Sequence, residues 1–192
     1  MKTSARASMI ALIGVWYFSF AAVLLHLIRT DLDPVATYLS IYALGQAGPL
    51  LSAGFFAIGL SMMHTSIQLS RTTKTFRNMG SNLLFVSAIG AWMVALYKVG
   101  SIHNIGALLV FMFFPPGVLW IGVRQKEGVE RRLSLTFGIV TLIFFVLLLL
   151  ILGFGDPLDM SGIGGLVQKI DIGAITLWLG LIAWRNFRAA HD

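Results

Sequence analysis

Six long apolar stretches constrain the fold of this chain more than any other feature of its sequence. Each is close to the roughly 20 residues that an α-helix, rising about 1.5 Å per residue, needs to cross about 30 Å of hydrocarbon. Only helices and closed barrels satisfy every backbone hydrogen bond in lipid, and stretches of this length indicate helices. The sequence therefore predicts an all-α polytopic membrane protein in which residues 1–192 form one six-helix bundle. The predicted helices cover residues 8–28, 47–68, 79–99, 102–123, 133–153 and 163–184.

Basic residues are distributed unequally between the two sides of these six helices. Of the 14 Lys and Arg, 11 fall on one side, and only Arg29, Lys98 and Lys169 fall on the other. Cytoplasmic loops of membrane proteins are enriched in Lys and Arg, so this side is predicted to be cytoplasmic, together with both chain termini. The basic residues on the predicted cytoplasmic side are Lys2, Arg6, Arg71, Lys74, Arg77, Arg124, Lys126, Arg131, Arg132, Arg185 and Arg188.

The composition agrees with a membrane protein and argues against several other classes. Hydrophobic residues make up 57% of the chain and charged residues only 11%, whereas soluble domains are about 25% charged. The net charge of +6 lies in short loops beside helix ends, so it predicts contact with anionic lipids and no binding of nucleic acid. The absence of cysteine excludes disulfides and thiolate-bound metal centres.

Residues capable of chemistry are concentrated on the predicted outer side. Because the cytoplasmic loops are short and basic, which is typical of orientation signals, a functional site is expected at the outer end of the bundle. The outer residues are His26, Asp31, Asp33, Ser40, Tyr42, Lys98, His103, Asp156, Asp159, Gln168, Lys169 and Asp171.

The segment between the first two helices is predicted to form a short outer helix. Asp33 followed by Pro34 is typical of a helix N-cap with proline at the first helical position. The residues after it place apolar side chains at helical spacing. We expect this helix to lie in the membrane interface or to dip back into the bundle.

Lys169 and Asp171 are the most costly residues for a membrane helix to contain. Insertion scales assign about 2.5–3.5 kcal/mol to such a residue at the helix centre and less near the interface. Both are therefore expected to face the bundle interior, paired with each other or with Asp33, His26 or His103. Such a pairing has a structural and a functional interpretation, and the sequence leaves both open.

Three stretches together resemble one known family. His26 with residues 31–45, the residues 100–115 and the residues 165–179 resemble the bacterial six-helix membrane family called domain of unknown function 998, DUF998. The resemblance implies the six-helix fold and a bacterial cytoplasmic membrane location, and no agreed activity. The family pattern maps onto Asp33, Pro34, Ser40, His103, Gln168 and Lys169. This chain departs from the pattern in its very short connection between helices 3 and 4.

The first functional hypothesis is an outward-facing polar pocket that binds a lipid headgroup or a small ligand. An extension of this hypothesis is catalysis, with Ser40 as nucleophile, His103 as base and Asp31 or Asp33 as its orienting group. The candidate ligand-binding residues are His26, Asp31, Asp33, Tyr42, His103, Gln168, Lys169 and Asp171.

Three alternative functions remain open at this point. A single b-type haem could be held between His26 and His103, because both imidazoles are predicted at similar depth. A proton or ion pathway could use Lys169 and Asp171, although Thr176 is the only polar residue in the next turns of that helix. The chain could also be a non-catalytic partner in a membrane assembly or a homo-oligomer. Beyond the haem alternative, no cofactor or metal is expected.

Overall fold

The computed structural model describes residues 5–72, 79–153 and 161–191. Within these residues the chain is all-α and forms the six predicted helices. They are α1 (Ala5–Ile28), α2 (Gly48–Thr72), α3 (Met79–Leu96), α4 (Ser101–Arg124), α5 (Val129–Gly153) and α6 (Gly164–Ala189). Each is long and apolar enough to cross a membrane. Asp156 and Asp159, which the sequence places on the outer side, lie outside the described residues.

The helices form a closed ring in chain order. Each packs against the next one along the chain, and α6 closes the ring against α1 while also touching α2. Successive helices pack side by side and run in opposite directions, so the start of α1 and the end of α6 share one end of the bundle. This is called the terminal end. The opposite end, which holds Lys169, is called the Lys169 end.

Close approach of α3 and α4 depends on glycine pairs. A Cβ atom on Gly90 would lie 2.5 Å from the carbonyl oxygen of Gly106, and one on Gly106 would lie 2.8 Å from that of Gly90. Small residues allow membrane helices to pack backbone against backbone, where van der Waals contact drives association. Gly100 ends the connection between the two helices as the N-cap of α4, with φ of +94°, a conformation that favours glycine.

Trp178 of α6 fills the centre of the ring. Its side chain is fully buried, meets Phe114 of α4 edge-on at 5.6 Å, and donates its indole N–H to Ser134 Oγ of α5 at 3.2 Å. A buried indole needs such a partner because an unmade hydrogen bond in the interior is costly. This one side chain therefore ties three helices together.

The terminal end is held by a polar network. Gln68 of α2 donates to Ser8 Oγ of α1 and accepts from Asn186 Nδ2 of α6, both at 3.1 Å. Nearby, Arg185 of α6 pairs with Glu130 of α5 at 3.3 Å. These contacts link four helices where the termini meet.

The predicted short outer helix is present between α1 and α2, although its form differs from the expectation. Asp33 begins a single turn, and a five-residue 3₁₀ helix, Leu39–Ala43, follows it. Leu39, Tyr42 and Ala43 are buried, so the segment packs into the bundle end.

Candidate functional site

The segment 33–39, here called the docked segment, begins with a capped turn. Asp33 Oδ1 accepts the backbone N–H groups of Val35 at 2.6 Å and Ala36 at 3.0 Å. These hydrogen bonds hold the pKa of Asp33 below its usual value, with a smaller contribution from the positive charge of Lys169. The Asp33 carboxylate is therefore occupied as a cap, as the Asp-Pro pattern predicted.

The docked segment is fixed to the first turns of α6 by hydrogen bonds in both directions. The Leu166 N–H donates to Val35 O at 2.7 Å, and Gln168 Oε1 accepts the Leu39 N–H at 2.8 Å. A Cβ atom on Gly164 would lie 2.5 Å from Tyr38 Oη, and one on Gly165 would collide with the docked backbone. The two glycines at the start of α6 therefore allow the segment to lie directly on the first turn of the helix.

Lys169 completes this attachment. Its Nζ donates to Pro34 O at 2.6 Å and to Thr37 O at 2.7 Å, and it lies 5.1 Å from the centroid of the Tyr42 ring. The sequence led us to expect a carboxylate or imidazole partner, and backbone carbonyls take that place. An ammonium has three donors, so one N–H remains beyond these two bonds.

Tyr42 joins Lys169 to His26. The His26 ring stacks on Tyr42 with centroids 4.4 Å apart and planes 22° apart. Its Nδ1 donates to Ala22 O at 2.7 Å, since a carbonyl can only accept, and this leaves Nε2 available. Burial raises the pKa of Tyr42, so the buried ring carries a neutral hydroxyl.

Arg29 and Asp31 form a separate ion pair at the end of α1. Two guanidinium nitrogens donate to the two carboxylate oxygens, each at 2.8 Å, and a third donates to Leu44 O. The guanidinium holds the pKa of Asp31 below its usual value. Asp31 is thus paired with Arg29 and forms no ion pair with Lys169.

A large groove lies between α1 and α6. Its volume is about 790 Å³, within the range of ligand sites in proteins. His26 and Lys169 stand at one end and Trp16 and Trp184 at the other. The tryptophans are 73% and 51% exposed, so the groove opens sideways towards lipid.

The groove is long because small residues recur on one face of α6. Gly173, Thr176 and Gly180 line it, and a Cβ atom on Gly173 would meet nothing within 4 Å. From Lys169 to Trp184 the helix rises about 22 Å, at about 1.5 Å per residue. One leaflet contributes only about 15 Å of the hydrocarbon core. The groove is therefore longer than one leaflet.

A second, much smaller cavity lies inside the ring. Its volume is about 40 Å³ and buried residues form most of its lining. Ser40, His103 and Gln168 supply its polar wall. His103 Nδ1 donates to Tyr97 O at 2.7 Å, which leaves Nε2 as an acceptor. This inner cavity has room for one or two waters, each of which occupies about 30 Å³.

Only a thin wall separates the groove from the inner cavity. Phe18, Ile172 and Thr176 line both spaces. The residues that the sequence grouped into one outer pocket are thus divided: His26 and Lys169 face the groove, while Ser40 and His103 face the inner cavity.

Asp171 belongs to neither space. It is fully buried, it lines neither the groove nor the inner cavity, and neither of its oxygens has a hydrogen-bonding partner within the described part of the chain. The pairing expected for Asp171 is therefore not observed among these residues.

The two histidines do not fit one haem in this arrangement. His103 lines a cavity far smaller than a porphyrin, and His26 stacks on Tyr42 in the other space. A bis-histidine haem requires both imidazoles on opposite faces of one ring. The described histidines face different spaces and do not meet that requirement.

Four residues that line the groove, Trp16, Gly173, Gly180 and Trp184, are not predicted as site residues from the sequence. The available signal was the seven-residue spacing of the two glycines, which places them two turns apart on one helix face.

Six apolar helices closed into one bundle define the chain as a polytopic integral membrane protein. The model of a family of proteins of unknown function, DUF998, matches residues 11–185. This match covers most of the 192 residues, so the chain belongs to the DUF998 family. No curated protein and no solved structure matches it.

Proposed function

We propose that this protein binds a membrane lipid, with an acyl chain in the groove between α1 and α6 and the headgroup beside Lys169. The observation that supports this most is the form of the groove. It has a ligand-sized volume of about 790 Å³, an apolar wall open towards lipid, and one polar end. Amphipathic lipids have the same division between a long apolar part and a polar end.

The membrane and its sidedness form part of this proposal. The order of the six helices along the sequence assigns 11 of the 14 basic residues to the side of the chain termini, which favours a cytoplasmic location for both termini. The family resemblance favours a bacterial cytoplasmic membrane. The Lys169 end then lies in the outer leaflet.

Sidedness is testable directly because the chain has no native cysteine. We expect Thr30→Cys to react with an impermeant maleimide in intact cells, and Lys126→Cys to react only after the membrane is opened. The opposite labelling pattern would place the Lys169 end on the cytoplasmic side.

Lipid binding is testable by fluorescence because two tryptophans line the groove. Lipid brominated along its acyl chain should quench Trp16 and Trp184 in detergent-solubilised protein. The groove signal is the part of the quenching that disappears in the Trp16→Phe/Trp184→Phe protein.

Gly173→Phe is the blocking variant. The open space at Gly173 can take a phenyl ring, so the protein should fold while lipid affinity falls at least about tenfold, equivalent to about 1.4 kcal/mol. Ile143→Phe adds an aromatic ring to the exposed face of α5 and is the matched control. Equal quenching in both variants would contradict the proposal. A Gly173→Phe protein that loses an oligomer and keeps its lipid would assign the groove to helix packing instead.

A second candidate function is hydrolysis of the bound lipid at Ser40. The observation in its favour is that Ser40 and His103 line the same inner cavity, with the His103 ring oriented by Tyr97 O and its Nε2 free to accept a proton. In this mechanism the Tyr97 carbonyl has the orienting role that the sequence predicts for Asp31 or Asp33. Phe18, Ile172 and Thr176 would have to move to admit an ester.

Ser40→Ala separates the two candidates. If the protein hydrolyses lipid, this variant should retain acyl-chain quenching and lose release of fatty acid, as measured by mass spectrometry of incubated lipid. Unchanged lipid in the presence of the wild-type protein would remove the hydrolytic candidate and leave binding intact.

A further inference from the structure

The polar end of the groove must carry most of its selectivity. A bilayer interior is as apolar as a leucine side chain, so moving an acyl chain from lipid into the groove gains little from the hydrophobic effect. Any preference for one lipid over another therefore depends on the groups beside the headgroup. These are Lys169, His26 and Tyr42.

Lys169 is held in place for such a contact. Two of its N–H groups are directed to Pro34 O and Thr37 O, so the ammonium is fixed while its third donor remains. Fixed donors bind more tightly than mobile ones because less side-chain freedom is lost on binding. A charged donor also forms a stronger hydrogen bond than a neutral one.

The groove wall has a positive charge, that of Lys169, which forms no ion pair with a carboxylate among the described residues. Asp31 is held by Arg29 and Asp33 Oδ1 caps the docked segment. The positive charge of Lys169 contributes to the lowered pKa of Asp33, so the two residues are near one another. They nevertheless form no ion pair among the described residues. The charge of Lys169 is thus only partly compensated.

We propose that the lipid bound in the groove has an anionic phosphate headgroup, with a phosphate oxygen accepting the remaining N–H of Lys169. This proposal rests on the proposed function. His26 and Lys169 both contact Tyr42 and both line the groove. Because Nδ1 of His26 is directed to Ala22 O, Nε2 becomes a second donor to the headgroup in the imidazolium form of the ring. A tetrahedral phosphate presents oxygens in several directions and suits such an arrangement.

The experiment compares two lipids with the same brominated chains, phosphatidylglycerol and diacylglycerol, which lacks the phosphate. The wild-type protein should bind the anionic lipid about tenfold more tightly, as expected for one charge-assisted hydrogen bond of about 1.5 kcal/mol. Lys169→Met should abolish this preference, so that the two lipids bind equally, while quenching by diacylglycerol persists. Lys98→Met removes an exposed lysine at the same end of the bundle and should leave the preference unchanged.

A second variant is needed because Lys169 also anchors the docked segment, so Lys169→Met can lose binding through misfolding. His26→Ala leaves both lysine–carbonyl bonds in place and should reduce the preference about two- to fivefold, a smaller effect than that of Lys169→Met. Equal binding of the two lipids by wild-type protein, with Gly173→Phe still abolishing quenching, would overturn the phosphate proposal and leave lipid binding standing. Absence of groove quenching by either lipid would instead overturn the proposed function itself.

Discussion

The groove and the inner cavity lie on adjacent faces of α6 and differ in nearly every physical respect. The groove has a volume of about 790 Å³, opens towards lipid and has its polar groups at one end. The inner cavity has a volume of about 40 Å³, and Ser40, His103 and Gln168 form its polar wall. A space that can hold a lipid chain and a space that can hold water thus share Phe18, Ile172 and Thr176 as a common wall.

The space that is large enough for a lipid is therefore not the space that contains the candidate reactive side chains. The inner cavity has residues suited to proton transfer but admits only small molecules, whereas the groove admits a large molecule but offers mainly charge recognition. A protein with this arrangement can bind a lipid without reacting with it. Reaction would require the wall to open.

The largest effect on stability is expected from truncating Phe18, which forms part of the wall between the groove and the inner cavity. Phe18 is 3% exposed and packs against Phe55 with ring centroids 5.4 Å apart. Phe18→Ala should lower the free energy of unfolding by about 3–5 kcal/mol, as buried Phe→Ala substitutions do, and join the two spaces. Unfolding of the purified protein in mixed micelles measures the change. Ile143→Ala on the exposed face of α5 is the control, and an equal loss in both variants would contradict the assignment of Phe18 as an interior wall.

The next effect distinguishes Asp171 from Lys169, which is two residues earlier on the same helix. Lys169 has partners at the groove, whereas both oxygens of Asp171 lack partners among the described residues. Asp171→Val should therefore raise the free energy of unfolding by about 1–3 kcal/mol, because an apolar side chain of similar size replaces an unsatisfied one. A less stable Asp171→Val protein would show that the carboxylate has a stabilising partner. A more stable Asp171→Val protein that no longer binds lipid would identify Asp171 as a functional residue.

A smaller effect is expected from filling the inner cavity. Ala107 of α4 lines this cavity and not the groove. Ala107→Val should raise the free energy of unfolding by about 0.5–2 kcal/mol, as substitutions that fill a cavity commonly do. Acyl-chain quenching should remain as in the wild type. Reduced lipid binding in this variant would mean that the two spaces act as one site.

The smallest effect concerns the pH dependence of the docked segment. Hydrogen bonds from the Ala36 and Val35 N–H groups lower the pKa of Asp33, so the folded state binds the proton less readily than the unfolded state. The stabilisation is therefore present above the ordinary pKa of about 4 and is lost as the pH falls through the lowered value. Asp33→Asn should flatten the decrease in the midpoint of thermal unfolding between about pH 5 and pH 3. Asp31→Asn tests the other lowered carboxyl pKa, and identical profiles for Asp33→Asn and wild type would contradict the capping role.

The sequence was sufficient to predict the number and position of the helices because lipid imposes their length and hydrogen bonding. The helix ends were less predictable. The apolar pattern begins at Leu133, whereas α5 begins at Val129 and includes Glu130 and two arginines. Charged residues can occupy a helical turn outside the hydrocarbon, so the start of the apolar pattern does not mark the first helical hydrogen bond.

The site was only partly predictable because depth in the membrane can be inferred from sequence position, whereas the facing direction of a side chain depends on the neighbouring helices. His26 and His103 are predicted at similar depth, yet they face different spaces. Lys169 was expected to pair with a side chain, and the pattern gave no sign that backbone carbonyls would approach it. That approach depends on Gly165, whose missing side chain leaves room for the docked backbone.

The attachment of Lys169 to carbonyl oxygens has an evolutionary consequence. Every residue has a backbone carbonyl, so the identities of the residues at positions 34 and 37 do not determine whether the lysine is bound. The docked segment can therefore change its side chains over generations while it stays fixed to α6, provided that the lysine and the small residues at the helix start are kept. The surroundings of Lys169 are therefore free to vary on an unchanged scaffold.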